Sequence, residues 1–287
     1  MGFRIAIDTG GTFTDSISVD GKGNLITTKT LTVPKDLAQG TMNAVDALAK
    51  KNGLSRKKFL ENVETIVHGT TQGTNVIITR SGPKLGIIAT EGHADVLQLR
   101  RVIRDNIYDW RKPFPEPLVP RYLRVGVKER VDAQGNVVRP LDEESVRKAV
   151  AYLKKMKVES IVVALLWSFL YPEHERRIGE IIKRDFPKAH VTLSHKVLPA
   201  IGEYERSSTA VINAYTAPST AAYIHTLTDF LTKEGFGGQF LFMQNNGGVE
   251  TAEIGVENPA SLATSGPAAG PPAALAVGGL HGLKNLL

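Results

Sequence analysis

The side chains that could do chemistry are concentrated in one short stretch near the N-terminus, RIAIDTGGTFTDSISVD, which runs from Arg4 to Asp20. An apolar segment typical of a buried strand carries Asp8, and Asp15 follows after two glycines and two threonines. Two carboxylates repel a bare phosphate, so their presence indicates a divalent cation, Mg²⁺ or Mn²⁺, between them and the phosphate. We therefore predict that Asp8 and Asp15 are metal ligands and that Asp8 is also a catalytic residue.

The glycines and threonines between the two acids suit the phosphate itself. Gly10 and Gly11 allow tight or positive-φ geometry and let backbone N–H groups approach an anion closely. Thr12 and Thr14 add hydroxyl donors. A Walker loop is excluded because no Gly-Lys-Ser/Thr ending is present, and a dinucleotide fingerprint because no helix is predicted after the glycines. A plain hairpin turn is the alternative, but the combination of acids, glycines and hydroxyls favours phosphate binding.

The elements that must position these residues are strands, predicted from alternating or apolar runs at FRIAIDTG, TDSISVD, LITTKTLTV, ETIVHGTT and KLGIIAT. The first three are consecutive and favour an antiparallel meander. A helical pattern starts at Pro34, continues to Leu48 and ends at Asn52 and Gly53.

Strands and helices alternate further along the chain. Asp142 is a predicted helix cap, SIVVALLWSF and HVTLSHKV are predicted strands, and a helix is expected at residues 173–184 between them. This alternation predicts a parallel α/β layer. The preceding segment YLRVGVKERVDAQGNVVRPL predicts two strands around the turn AQGN, and a long helical region is expected to end at Lys233.

Two later segments could also reach a ligand. His68, in VHGTTQGTN, could polarise a substrate carbonyl or transfer a proton, or it could be a strand-end histidine hydrogen-bonded to backbone. Ser265 and Gly266 open SGPAAG, which favours a cleft-lining helix start with N–H groups free for an anion over simple close packing of small residues. A turn is the favoured interpretation of NNGG, Asn245–Gly248.

Several charged groups have an ordinary explanation as well as a functional one. His93 and Asp95 could be metal ligands, although a capping role is favoured for Asp95. The arginines of RRVIRDNIYDW, Arg100–Trp110, could face an anion such as bicarbonate or phosphate, or form a solvated basic face. The charged residues of Glu203–Arg206 could form a buried ion-pair network or a surface helix start.

Composition excludes several classes of protein. The chain has 287 residues, no cysteine and a formal net charge of +6, and its basic residues are spread along its length. Disulfides and thiolate metal sites are therefore excluded, and nothing indicates a nucleic-acid partner. The N-terminus lacks a signal-peptide pattern, and the longest apolar run, Ser160–Leu170, is too short to span a membrane. We expect a cytoplasmic protein that binds neither nucleic acid nor membrane.

The motif IDTGGTFTD resembles the first phosphate loop of the hydantoinase A / 5-oxoprolinase family, a branch of the actin-like, sugar-kinase-like and Hsp70-like ATPases. Further stretches agree with that family in order along nearly the whole chain: His68–Gly82, Pro117–Val138, Glu203–Pro218, Met243–Gly248 and Thr264–Gly270. The resemblance favours the functional interpretation of His68 as a catalytic residue. It also implies that Ser265 and Gly266 bind the nucleotide.

The resemblance implies an α/β fold of the actin-like, ribonuclease H-like ATPase type. An N-terminal lobe at residues 1–200 is expected to hold the first phosphate loop, and residues 201–287 to begin a truncated second lobe. Members of the family are expected to carry a second acid-Gly-Gly-Thr loop soon after SGPAAG, where this chain ends in GLKNLL. We therefore expect either a fragment or a naturally shortened subunit.

The resemblance also implies a chemistry. Family members use ATP to phosphorylate an amide or enolate oxygen, which turns that oxygen into a leaving group. One branch carboxylates ketones and another opens cyclic amides. A ketone carboxylase subunit of the acetone or acetophenone type is the favoured expectation, with a cyclic amide hydrolase or a non-catalytic scaffold as alternatives. Expected partners are other subunits, a small ketone or cyclic amide, and bicarbonate.

Overall fold

The computed structural model describes residues 2–102, 108–109, 111–112, 115–283 and 285. The chain divides into two compact α/β units. The first consists of Met1–Thr79 with Ser219–Leu287, and the second of Arg80–Pro218. These units do not follow the predicted division at residue 200, which concerns the lobes of longer family members and stays a prediction.

The elements follow one another along the chain with short connections. The strands are β1 (Phe3–Thr9), β2 (Phe13–Val19), β3 (Leu25–Leu31), β4 (Val63–Thr70), β5 (Leu85–Thr90), β6 (Arg124–Val127), β7 (Arg130–Val131), β8 (Val137–Arg139), β9 (Ser160–Ala164), β10 (His190–Leu193), β11 (Gln239–Met243) and β12 (Val249–Thr251). The helices are α1 (Leu37–Lys51), α2 (Arg56–Glu61), α3 (Gln72–Ile78), α4 (Val96–Leu99), α5 (Glu143–Lys155), α6 (Glu173–Asp185), α7 (Ser194–Val197), α8 (Glu203–Lys233), α9 (Ala252–Glu257), α10 (Ser265–Ala268) and α11 (Gly270–Leu280).

The first unit is built on a six-stranded sheet in the order β12-β11-β4-β1-β2-β3. Strands β1, β2 and β3 pair antiparallel, which confirms the predicted meander. Strand β4 joins β1 in parallel, and β11 joins β4 in parallel. The register places Asp15 of β2 and Gly69 of β4 on either side of Asp8.

The two faces of this sheet have different surroundings. Ile5 and Ile7 of β1 are buried in a core that includes Leu48 of α1, Phe59 of α2 and Leu231 of α8. Because successive side chains of a strand point to opposite faces, the residues between them point away from this core. Asp8 is thus on the face that α1 does not cover.

Helix α1 begins three residues after the predicted start at Pro34. The Asp36 carboxylate accepts a hydrogen bond from the Gln39 N–H at 3.0 Å and caps the helix. This cap satisfies an N–H that has no partner within the helix, so it determines the first residue. The last helical residue is Lys51, and Asn52 caps the helix where its end was predicted.

The second unit contains the predicted parallel layer, a four-stranded sheet in the order β10-β9-β5-β6. The Asp142 carboxylate caps α5 by accepting from the Glu144 N–H at 3.0 Å and the Ser145 N–H at 3.3 Å. Val146 and Leu153 of α5 are fully buried. Strands β7 and β8 form a separate hairpin around the predicted AQGN turn.

Two predicted strands are shorter than expected. Strand β9 ends at Ala164 because the next backbone groups are bound by side chains: the Glu175 carboxylate accepts from the Leu165 N–H at 2.9 Å. Strand β10 ends at Leu193, and HVTLSHKV continues as α7 because the same carboxylate accepts from the His195 N–H at 3.0 Å. In both places a buried acid replaces the next bond of the sheet.

The long predicted helix is present as α8, whose residues belong to both units. No helix in the described part of the chain is long and apolar enough to cross a membrane. Of the segment RRVIRDNIYDW, residues 103–107 and 110 lie outside the described residues. The prediction that its arginines face an anion is therefore not addressed for Arg104.

The junction before β11 generates a stability prediction with a neighbouring control. A Cβ atom at Gly238 would lie 2.6 Å from the Val63 carbonyl oxygen and closer still to that of Glu64, whereas a Cβ at Gly237 would meet nothing within 4 Å. Because backbone atoms cannot move aside cheaply, Gly238→Ala should lower the free energy of unfolding by about 2 kcal/mol. Gly237→Ala should cost far less. Urea denaturation of the two variants measures the difference, and equal midpoints would contradict it.

Candidate active site

A cavity of about 330 Å³ opens on the uncovered face of the six-stranded sheet. Its lining residues come from β1 to β4, β11 and the segment around α10: Ala6, Ile7, Asp8, Asp15, Ser16, Ile17, Thr27, Thr28, Val67, Gly69, Met243, Ser265, Gly266 and Ala269. The two acids lie toward the carboxyl end of β1, and apolar side chains such as Val67 and Ile17 line the rest. The cavity thus has a charged end and an apolar end.

Asp8 and Asp15 are directly opposite each other on adjacent antiparallel strands. In such a pair the Cβ atoms are about 5 Å apart, and like charges destabilise the sheet. Partial burial, followed by the charge of Asp15, raises the pKa of the Asp8 carboxyl above its ordinary value. The carboxylate of Asp8 is therefore held in a place that disfavours its negative charge.

Asp15 already has a cationic partner. Its two carboxylate oxygens accept from Lys29 Nζ at 2.9 and 3.0 Å, and Lys29 also lies 4.9 Å from the centre of the Phe13 ring. Both members of the ion pair are more than half exposed, so it contributes little to stability. Within the described residues Asp8 forms no such pair, so its charge is the one left unbalanced.

Gly69 leaves room for the Asp8 carboxylate, and Gly266 lies beside it at ordinary contact distance. A Cβ atom at Gly69 would lie 2.9 Å from Asp8 Oδ1, and one at Gly266 would lie 3.7 Å from it. Ser265 is buried, and its hydroxyl donates to the Thr70 carbonyl at 3.2 Å. The predicted residues Ser265 and Gly266 are thus brought to the charged end of the cavity, although the Ser265 hydroxyl is turned into the protein.

The loop Gly10–Thr12 is held on its carbonyl side by Thr32. The Thr32 hydroxyl donates to the Gly10 carbonyl at 3.0 Å, and the Thr32 N–H donates to the Thr12 carbonyl at 3.0 Å. Neither Gly10 nor Gly11 has a positive φ, so that part of the expectation is not met. A Cβ atom at Gly11 would meet nothing within 4 Å, so the protein itself does not require glycine there.

The Thr14 hydroxyl lies on the buried face of the sheet, since Thr14 alternates with Asp15 along β2. Its Oγ1 is 3.0 Å from Thr32 Oγ1 and is fully buried. The position does not support the predicted donation by this hydroxyl to a phosphate. Thr14 instead supports the loop through Thr32, a residue that sequence reasoning did not single out.

His68 also lies on the buried face, between the cavity-lining residues Val67 and Gly69. Its Nε2 is 2.6 Å from the Tyr223 hydroxyl, which is 3.2 Å from the Thr41 hydroxyl. Thr41 is in turn 3.2 Å from the hydroxyl of Thr9. This network joins the ends of β1 and β4 to α8, and it places the His68 ring away from the cavity. The position does not support direct proton transfer to a substrate.

Burial determines the charge state of His68. Removal from water lowers the pKa of its imidazole from 6.5 to about 4, although the Ile7 backbone acts in the opposite direction. The imidazole is therefore neutral at physiological pH. Tyr223, its partner on α8, was missed by sequence analysis because it lies far along the chain and is one tyrosine among several.

The remaining sequence candidates have ordinary partners. The Asp95 carboxylate accepts from Arg121 at 3.0 and 2.9 Å, and this bond lowers its pKa. His93 Nε2 is 3.1 Å from Arg130 Nη1. No group of three His, Cys, Asp or Glu residues that could hold a metal ion occurs in the part of the chain that the structure describes. NNGG forms the predicted turn, with Gly247 at φ 84°.

Buried charges of the second unit were only partly anticipated. Arg206 is 1% exposed, which agrees with the buried-network interpretation of Glu203–Arg206. Glu175 and Glu129 are also buried, and each accepts from a histidine: His195 Nδ1 at 2.7 Å and His174 Nδ1 at 2.9 Å. Nothing in the local sequence distinguishes these glutamates from the exposed ones around them.

Two family profiles match the chain. The hydantoinase/oxoprolinase N-terminal region matches residues 4–186, and hydantoinase/oxoprolinase matches residues 206–287. The chain belongs to the hydantoinase/oxoprolinase family. Together the two matches account for most of its length, which confirms the resemblance found in the sequence.

Relatives are known for both branches of this family. Over 283 residues the chain is 41% identical to the gamma subunit of acetophenone carboxylase from Aromatoleum aromaticum, a match that covers 93% of this chain and 38% of that subunit. The ATP-dependent caprolactamase from Pseudomonas jessenii has a similar structure, with a TM-score of 0.90 and 32% sequence identity. The match covers 99% of this chain and 41% of the caprolactamase chain. The nucleotide-free structure of acetone carboxylase gives a TM-score of 0.88 and 29% sequence identity. That match covers 97% of this chain and 41% of the acetone carboxylase chain.

These structures confirm the predicted fold class, since they are consistent with an α/β fold of the actin-like ATPase type. The chain spans about two fifths of the length of the relatives that it matches.

The burial of His68 generates a prediction about acid stability. Its folded pKa of about 4 is below the ordinary 6.5, so the neutral imidazole stabilises the fold fully above pH 6.5 and this contribution is lost as the pH falls toward 4. Relative to His68→Gln, the wild-type chain should lose up to about 3 kcal/mol of unfolding free energy across that window. Denaturant titrations at pH 8, 6 and 4.5 measure this loss. His225→Gln, an exposed change on α8, should behave as wild type; a pH-independent difference for His68→Gln would contradict the assignment.

Proposed function

We propose that this chain supplies the acidic part of an ATP phosphate site in an ATP-dependent enzyme of the hydantoinase/oxoprolinase family. The observation that carries the proposal is the Asp8 carboxylate. It lines a cavity opposite a second acid, its pKa is raised by burial and by that acid, and it forms no ion pair within the described residues. A divalent cation bound to Asp8 removes this unfavourable charge.

The residues present fit a magnesium or manganese ion bound together with phosphate. Mg²⁺ is commonly held by one or two protein carboxylates and completes its shell with phosphate oxygens and water. Asp8 would be the first ligand, and Asp15 the second, since its exposed bond to Lys29 is weak enough to be exchanged. When bound, the cation neutralises phosphate oxygens. A dedicated cluster of three or more protein ligands is not required.

The neighbouring segments would bind the phosphate groups themselves. The Gly11 N–H and the Thr12 hydroxyl follow closely after the strand that carries Asp8, whereas the predicted donation by the Gly10 N–H is not supported because that group is bonded within the loop. Thr32 fixes this loop through the carbonyl groups, and the Gly10 N–H donates to the Phe13 carbonyl at 3.0 Å, so the Gly11 N–H is the one proposed to meet a ligand. Ser265 and Gly266 bring a second stretch of backbone to the same carboxylate. Positioning of this kind provides most of the catalysis of phosphoryl transfer.

The reaction that we propose for the assembled enzyme is phosphorylation of an amide or enolate oxygen. Within the family we favour a ketone carboxylase subunit, because identity to the acetophenone carboxylase gamma subunit is 41% and to the caprolactamase alpha subunit 32%. Opening of a cyclic amide is the second candidate. A non-catalytic scaffold is disfavoured by the retained acids. The partners in this proposal are other subunits, as the names gamma and alpha subunit say of those relatives.

The first test replaces the central carboxylate. Asp8→Asn removes a charge that the fold disfavours, so the metal-free chain should melt at the same temperature as wild type or higher, while ATP turnover by the assembled enzyme falls at least about a hundredfold. Differential scanning calorimetry and a coupled ATPase assay measure the two effects. Asp229→Asn, an exposed change on α8, is the matched control. Near-normal ATP turnover by Asp8→Asn would contradict the assignment of Asp8 as the cation-binding carboxylate.

The second test uses the free space at Gly11. Because a Cβ atom there meets nothing within 4 Å, Gly11→Val should leave the melting temperature unchanged. If a phosphate approaches the backbone at this position, the added side chain lies where the phosphate must be, and calorimetric titration with Mg-ATP should show affinity reduced about tenfold or more. Gly237→Val, at an equally open position, should bind as wild type. Normal binding by Gly11→Val would favour a plain hairpin turn.

A further inference from the structure

The connection between the short 3₁₀ helix Pro259–Leu262 and α10 contains a backbone outlier at Thr264. Its φ is 63° and its ψ is 25°, which is the left-handed region that a β-branched residue rarely adopts. The residue before it, Ala263, is extended, and the residue after it, Ser265, begins α10. Strain of this kind persists only where the surroundings hold it, and it is concentrated at functional sites.

Two hydrogen bonds to neighbouring elements hold this connection. The Thr264 N–H donates to Thr74 Oγ1 on α3 at 3.1 Å, and the buried Ser265 hydroxyl donates to the Thr70 carbonyl at the end of β4 at 3.2 Å. The Thr264 hydroxyl is turned to its own chain, since it donates to the Ala263 carbonyl at 2.6 Å. The left-handed residue is therefore fixed through its backbone N–H, and the Thr74 hydroxyl is the group that fixes it.

The connection leads directly into the charged end of the large cavity. Ser265, Gly266 and Ala269 line that cavity, and a Cβ atom at Gly266 would lie 3.7 Å from Asp8 Oδ1. Because φ and ψ are the two soft angles of each residue, a change in them at Thr264 redirects the chain that follows. The conformation of Thr264 therefore decides whether the Gly266 backbone lies beside Asp8.

The strain and the bonds that oppose it are of similar size. A left-handed residue other than glycine costs about as much free energy as one or two ordinary hydrogen bonds contribute. Loss of one bond should therefore shift a measurable fraction of the molecules to a relaxed conformation, in which Thr264 leaves the left-handed region. The bond to Thr74 is the one that can be removed alone, because the Ser265 hydroxyl is fully buried.

We propose that Thr74 is a positioning residue for the ATP phosphate site. Its hydroxyl holds Thr264 in the left-handed conformation and thereby keeps the Gly266 backbone beside Asp8. Neither threonine is among the described residues that line the cavity, so both act on a ligand through Gly266. The identity of the ligand rests on the proposed function, whereas the bond and the strain that it opposes are properties of the free chain.

The experiment combines the loss of the bond with relief of the strain. Thr74→Val keeps the shape of the side chain but removes the hydroxyl, and calorimetric titration of the full chain with Mg-ATP should show affinity reduced about fivefold to tenfold. Thr74→Ser keeps the hydroxyl and should bind nearly as wild type. Asparagine adopts the left-handed region more readily than threonine, so Thr264→Asn added to Thr74→Val should restore most of the affinity.

A threonine on another helix provides the matched control. Thr226 is exposed on α8, and its hydroxyl donates to the Ala222 carbonyl of the same helix at 2.8 Å. Thr226→Val makes the same chemical change as Thr74→Val and should bind Mg-ATP as wild type.

Hydrogen exchange of the nucleotide-free chain provides a second readout that does not depend on ATP. The Ala269 N–H donates to the Gly266 carbonyl at 3.2 Å, so its exchange reports on the segment that follows Thr264. In Thr74→Val this amide should exchange about fivefold to tenfold faster than in wild type, and Thr264→Asn should reverse the change. A role of Thr74 within α3 alone would not move the exchange of Ala269, and a change at Thr264 would not rescue it.

The possible failures are separable. Unchanged Ala269 exchange in Thr74→Val, or no rescue by Thr264→Asn, overturns the positioning role. Faster exchange with unchanged Mg-ATP affinity also overturns it, because the segment would then move without effect on the ligand. If Thr74→Val does not fold, Thr264→Asn alone decides: it should raise the melting temperature, and an unchanged or lower value would show that no strain is present. A wild-type chain that binds no Mg-ATP would instead overturn the proposed function, and the positioning role with it.

Discussion

Two like charges facing each other across β1 and β2 are the constraint on which the first unit depends. An antiparallel meander fixes Asp8 opposite Asp15, and the sheet gains nothing from this contact in the free state. Neighbouring residues are arranged to tolerate it. Gly69 leaves space for one carboxylate and Lys29 pairs with the other, while the apolar residues of the same strands supply the burial that raises the pKa of Asp8. In the proposed function, a bound cation would relieve the same repulsion that destabilises the free protein.

The opposite face of the same strands provides the rigidity that this arrangement needs. Thr9 and His68 lie one residue away from Asp8 and Gly69, on the side that α8 covers, and they are linked through Thr41 and Tyr223. Because hydrogen bonds in a buried network are costly to break, the strand ends are held together there. The alternation of side chains thus places the proposed ligand site on one face of the sheet and the network that supports it on the other.

In the second unit, buried charged side chains bind the backbone groups at the end of a parallel strand. Backbone groups that leave the end of β9 are bound by buried side chains: Glu175 accepts from the Leu165 N–H, and Arg206 donates to the Leu165 carbonyl. These bonds satisfy the peptide groups where the sheet ends, and they hold the Arg206 guanidinium in place. Helix α8 carries both Arg206 and Tyr223, so one element provides a buried polar group to each unit.

The sequence by itself determined the elements and the motif. Alternating and apolar runs, the caps Asp36 and Asp142, and the spacing of the acids around a Gly-Gly turn are local features, and local propensity and pairing are enough to place Asp8 opposite Asp15. Only the tertiary structure decided which face of each strand became the core. The sequence predicted Thr14 as a phosphate-binding residue and His68 as a catalytic residue, but both are buried because α1 and α8 cover their side of the sheet. The approach of Gly266 to Asp8 and the burial of Arg206 likewise depend on segments far apart in the chain, and no local pattern encodes such contacts.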